Sequence, residues 1–130
     1  MSEEGFQIRI NTKGNPPISG LPFSAIKDAV LGKDYELSLV FIGSTLSRRL
    51  NRETRGKDKP ANVLSFPLSE KSGEIFIDVP HATKQSPQFE ETPKQFIAHL
   101  FIHGLHHLKG LDHSEEMEKG EAKTRKKFNV

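Results

Sequence analysis

The chain has 130 residues, 34% of them hydrophobic and 28% charged, with a formal net charge of +2 and no cysteine. That length fits one domain around one core, and a chain without cysteine has neither disulfides nor thiolate metal ligands, in keeping with a reducing cytoplasm. So small a net charge does not by itself point to nucleic acid, and no apolar run reaches the length of a membrane span.

The N-terminal "MSEEGFQIRI" is acidic and lacks the basic, then apolar, pattern of a secretory leader, so a soluble cytoplasmic protein is expected. "FQIRI" (6–10) alternates apolar and polar residues as a strand does, and the loop "NTKGNPPISG" follows with its Gly and Pro punctuation. A helix is expected after Pro22, with Ser24 as its cap and Ile26, Ala29 and Val30 at helical spacing. "YELSLVFIG" (35–43) reads as a buried strand. "STLSRRLNRETRG" (44–56) reads as a helix capped by Ser44, with Leu46 and Leu50 on one face. "NVLSFPL" (62–68) and "GEIFIDV" (73–79) then pair as strands across a polar loop.

"PHATKQSPQFEET" (80–92) is turn-rich, with room for one helical turn. From Pro93 a long helix places Phe96, Ile97, Leu100, Phe101 and Leu108 on a buried stripe and stops at Gly110. "DHSEEMEKGEAKTRKK" (112–127) reads as a last, exposed helix. Asp112 is its cap, Glu115 closes a capping box, and the basic end over about 120–130 frays.

"HGLHHLKGLDH" (103–113) holds four of the six histidines. On a helix, residues four apart lie about 40° apart around the axis, so His103 and His107 can reach one ion. Gly110 lets the backbone leave the helix and return His113 as a third ligand. Three imidazoles with an open position suit a catalytic metal better than a structural one. Zinc is the first choice, although imidazole also suits other divalent transition metals. The spacing coincides with H-E-x-x-H-x-x-G-x-x-H of the metzincin peptidases, except that Gly104 stands in place of the glutamate that serves them as general base. A peptidase of that type is therefore not expected. His81, His99 and His106 are read as packed or exposed residues outside the site.

On these residues the chain resembles the YbeY family, bacterial metal-dependent endoribonucleases that act in rRNA maturation. Their pattern HGxLHLxGYDH is kept at His103, Gly104, His107, Leu108, Gly110, Asp112 and His113, while His106 replaces Leu and Leu111 replaces Tyr. "LNRETRGKDKPANVLSFPL" (50–68) is similar to the family's LNxxyRxxDkpTdVLSFP, and "GEIFID" (73–78) to its GDIxI strand. The resemblance implies one α+β domain over 1–130, a small mixed β-sheet packed with helices and a metzincin-like metal cleft.

It also implies His103, His107 and His113 as ligands of one zinc or other divalent ion, and Arg55 as the main functional basic residue. A guanidinium fork can hold a phosphate bidentately and neutralise the charge that builds on it during cleavage. The surrounding "SRRLNRETRGKDK" (47–59) reads either as a basic groove for a single strand or as a solvated helix face laced with ion pairs. The implied activity is a single-strand-specific endoribonuclease in rRNA processing and ribosome maturation. Its partners would be single-stranded RNA, rRNA and ribosomal components, with no role for membrane or DNA. Two other readings stay open at this level: a metal-dependent hydrolase of another substrate class, and a noncatalytic, zinc-stapled RNA- or ribosome-binding factor.

Overall fold

Alternation in "FQIRI" and the apolar run "LSLVFI" place two strands side by side at the centre of a mixed sheet. A computed structural model of the chain describes residues 2–3, 5–110 and 115–130, the first two by backbone alone. The elements run β1 (Ser2–Glu3), β2 (Phe6–Asn11), α1 (Phe23–Leu31), β3 (Glu36–Ile42), α2 (Ser44–Arg55), β4 (Val63–Ser69), β5 (Ser72–Asp78), α3 (Val79–Gln85), α4 (Pro93–Leu108) and α5 (Glu115–Phe128). A 3-10 turn, Ser86–Phe89, lies between α3 and α4. The sheet order is β1-β2-β3-β5-β4, with β2, β3 and β5 mutually parallel and the two edge strands antiparallel to their neighbours. The α+β expectation with a small mixed sheet is met.

Leu37, Leu39 and Phe41 of β3 and Ile75 and Ile77 of β5 share one buried cluster with Phe23, Ile26 and Val30 of α1 and Phe96, Ile97, Phe101, Ile102 and Leu105 of α4. Phe101 meets Phe23 edge-on at 4.9 Å, which ties α1 to α4. Burying Phe23 draws it into α1 as the first helical residue. The cap position therefore falls to Pro22, without a side-chain cap, and Ser24 lies in the first turn instead of capping it.

Ser44 does not cap α2 either. Gly43 stands at that position, and the Ser44 hydroxyl donates to Asp78 Oδ1 at 3.0 Å. The inward face of α2 is polar: Ser47 and Asn51 are buried, while Leu46 and Leu50 are only half-buried. Ser47 donates to Asp78 Oδ2 at 2.6 Å, and Asn51 Nδ2 donates to the Lys59 carbonyl at 2.9 Å, holding the loop after α2. Asp78, itself fully buried, also accepts from the His81 backbone N–H at 2.9 Å and so caps α3. The stretch expected to be mostly turn thus holds a helix and a 3-10 turn. Pro80 and Pro87 sit in first-turn positions, where proline starts a helix as readily as it breaks one elsewhere.

α4 begins at Pro93 as expected, behind a capping box in which Gln95 N–H donates to Thr92 Oγ1 at 3.2 Å and Thr92 N–H to Gln95 Oε1 at 3.0 Å. It ends at Leu108, and Gly110 takes φ 92°, a conformation that favours glycine. Asp112 and His113 lie outside the described residues, and with them the expected capping box to Glu115. α5 is not exposed along its whole length: Met117 is buried, and Phe128 and Val130 pack against the core. Among the described residues no helix is long and apolar enough to cross a membrane.

Candidate active site

The helical period brings His99, His103 and His107 of α4 to one side, where all three line a cleft of about 880 Å³. Its opposite wall is the edge strand β4, through Val63 to Pro67. The last turn of α2 contributes Thr54 and Arg55, the 3-10 turn contributes Phe89, and α5 contributes Glu121 and Arg125. A proline in β4 is compatible with its place at the sheet edge, where one side of the strand needs no ladder donor.

His103 and His107 converge, with their Nε2 atoms 3.1 Å apart and their rings edge to face at 4.6 Å. His103 Nδ1 lies 3.1 and 3.2 Å from the two carboxylate oxygens of Glu121, a geometry in which the carboxylate can accept a proton carried on Nδ1. His99 Nδ1 is in hydrogen-bonding contact with a Glu91 carboxylate oxygen, and the Nε2 of the ring is buried without a hydrogen-bond partner among the described residues. His99, read from sequence as lying outside the site, therefore belongs to the cleft wall.

The basic stretch on α2 divides in two. Arg48 engages Asp58 through both carboxylate oxygens, at 2.8 and 3.1 Å, and Arg52 reaches the same group at 3.5 Å. The Arg48 hydrogen bond and charge hold the Asp58 carboxyl below the usual carboxylate range. Those two arginines follow the ion-paired reading. Arg55 turns to the cleft and, like Arg125, has no acidic partner among the described residues. Its side of the cleft is thus open to an anion.

A family model described as Endoribonuclease YbeY matches residues 22–129. The chain belongs to the YbeY endoribonuclease family. Endoribonuclease YbeY of Alkaliphilus metalliredigens is 35% identical, the match covering 73% of this chain and 68% of that one. For Persephonella marina the values are 39%, 65% and 60%, and for Allorhizobium ampelinum 40%, 64% and 55%. The match thus spans between 55% and 68% of the length of these relatives. The solution structure of TM1509 from Thermotoga maritima superposes with a TM-score of 0.63 at 26% identity, covering 92% of this chain and 85% of that one.

Two places in the YbeY motif are explained by packing. A Cβ on Gly104 would lie 2.9 Å from Ser65 Oγ and 3.1 Å from Ile75 Cδ1, because α4 presses on β4 and β5 at this point. The position faces the sheet, so a peptidase-type glutamate has no room here. His106, where the YbeY pattern has leucine, turns away from the cleft onto α5. Its ring fills the space left by Gly120, and its Nε2 lies 3.3 Å from Thr124 Oγ1. Burial, against the opposing charge of Glu121, lowers the His106 pKa.

His113 lies outside the described residues, and among the described residues no three His, Asp or Glu side chains are placed to hold one ion. Sequence reading missed Glu121, Glu91 and Phe89, and took Arg125 only as part of the basic end of the chain. None of them carries a local pattern pointing to α4, and Glu121 reaches His103 across 18 residues of chain.

Proposed function

We propose that this cleft hydrolyses single-stranded RNA during rRNA maturation, with a divalent cation, zinc in the first instance, held by His103, His107 and His113, and with Arg55 on the scissile phosphate. One observation carries the proposal: a converging histidine pair backed by a carboxylate shares a cleft with two guanidiniums that no described acidic group neutralises. A peptide offers no such anion. A phosphodiester does, and a planar guanidinium matches it with two hydrogen bonds.

The donor set fits the cation. Two nitrogens on a tetrahedral zinc lie about 3.3 Å apart at the usual Zn–N length, and the Nε2 atoms of His103 and His107 are 3.1 Å apart. Glu121 on His103 Nδ1 is the carboxylate partner that ligating histidines regularly have. When bound, such a cation supplies Lewis acidity to a phosphoryl oxygen. Arg55 would bind the phosphate and offset the charge that develops on it, while Glu121 would orient His103. With two histidines one turn apart beside an edge strand, and the chain leaving the helix at Gly110 three residues before His113, the cleft would be metzincin-like in layout but without the peptidase glutamate. A cytoplasmic location and ribosomal partners belong to the same proposal, the first supported by the absence of cysteine.

The test is metal content together with cleavage of a single-stranded RNA for wild type, His107→Ala and Arg55→Ala. His107→Ala is expected to lose both. Arg55→Ala is expected to keep its metal and lose about two orders of magnitude in rate, as when one charge-stabilising donor is removed. Metal-loaded wild type that leaves single-stranded RNA intact overturns the proposal.

A further inference from the structure

We propose that Phe89 is a stacking platform for a nucleobase of the bound strand, a subsite that lets the cleft grip single-stranded RNA by its bases as well as its phosphates. The inference rests on the ribonuclease reading above. Phe89 is 57% exposed, whereas most of the other large hydrophobic side chains are at least partly buried. Of the three exposed ones among the described residues, Ile10 and Leu68 do not line the cleft and Phe89 does.

Its ring lies on that of Phe96, with centroids 4.9 Å apart and planes 20° apart, and Phe96 is itself buried in the core. One face of Phe89 is therefore fixed from below, and its exposure comes from the other face and the edge. The backbone holds it there. Immediately after Phe89 the chain takes a left-handed turn at Glu90, φ 56°, an uncommon conformation for a residue other than glycine. Glu90 and Glu91 N–H groups donate back to Pro87 and Ser86, and Glu91 closes the turn on His99.

The chemistry of the rest of the cleft selects the occupant. Arg55 and Arg125 suit a polyanion, and a flat aromatic surface beside them suits the bases of that polyanion. Bases in a duplex are already stacked on their neighbours, so a platform of this kind favours a single strand.

The sequence holds no tryptophan, so Phe89→Trp keeps the stack and supplies a single indole reporter. The probe is a 2′-O-methyl oligoadenylate, which resists cleavage, beside the same oligomer with abasic positions. Leu68→Trp, on the β4–β5 hairpin, is the control. The oligoadenylate is expected to quench the indole fluorescence of the Phe89→Trp variant to saturation, the abasic oligomer to quench it little, and the control to respond to neither. Phe89→Ala is expected to raise KM for a cleavable RNA about tenfold, with the loss in KM rather than in kcat. Equal quenching by the two oligomers, or a Phe89→Ala variant that discriminates between them as wild type does, overturns this inference alone. Failure of wild type to bind any single-stranded RNA overturns the ribonuclease reading, and this one with it.

Discussion

Gly104 illustrates how one atom decides between two chemistries. The position that supplies the general base in a zinc peptidase is here a point of close approach between α4 and the sheet, and Ser65 donates to the Gly104 carbonyl at 3.3 Å. Gly104→Ala is expected to lower the urea midpoint by an amount equivalent to about 1–3 kcal/mol, the usual cost of overpacking; no change in midpoint would show that the contact can relax. In the proposed site Glu121 would act on a cation only through His103. Glu121→Gln is therefore expected to weaken zinc affinity about 10- to 100-fold in a chelator competition, while thermal unfolding of the metal-free protein shifts little.

Tyr35 works in the opposite sense, because its hydroxyl is buried over Gly73 with no partner among the described residues. Burial raises its pKa above the usual value of 10.0. The unfolded chain then releases this proton first. Stability is complete below pH about 10 and is lost as the pH rises toward the higher folded value. Tyr35→Phe should flatten that alkaline loss in denaturant titrations at a series of pH values.

At the level of elements, Asp78 ties three together. Ser44 and Ser47 of α2 and the first turn of α3 all converge on a carboxylate at the end of β5. Asp78→Ala removes a charged acceptor from two hydroxyls and an N–H at once. It is expected to cost roughly 2–4 kcal/mol by urea unfolding, and a loss below about 0.5 kcal/mol would mean that α2 is held by something else. α4 was legible end to end because proline, apolar stripe and terminal glycine are all local signals. The inward face of α2 was not, since a helix that buries Ser47 and Asn51 and leaves its leucines half-exposed inverts the pattern that periodicity reads. α3 was hidden for a related reason: its cap is Asp78, which had already been counted as the end of a strand.

At the level of the whole molecule, the cleft draws on α2, β4, the 3-10 turn, α4 and α5, and guanidiniums on two of them bring positive charge to it. Binding of single-stranded RNA should therefore weaken as salt rises. Arg55→Ala is expected to reduce the slope of log K against log salt by about 0.7, the contribution of one phosphate contact on a single strand. An unchanged slope would place Arg55 away from the RNA backbone.

What the sequence by itself determined is whatever rests on short-range geometry. The central strands follow from alternation, the start and end of α4 from its caps, and the pairing of His103 with His107 from four-residue spacing on a helix. The family follows from motifs that lie along one stretch of chain. Tertiary structure alone decided which neighbours those residues acquire. It put Glu121 behind His103, brought Arg125 and Phe89 to the same cleft, moved His99 into its wall, seated His106 against α5, and left Gly104 without room for a side chain. The reason is that a contact between elements depends on how their faces pack, and residues 18 or 39 positions apart, as in His103 with Glu121 and Ser65 with the Gly104 carbonyl, share no periodicity that could announce it.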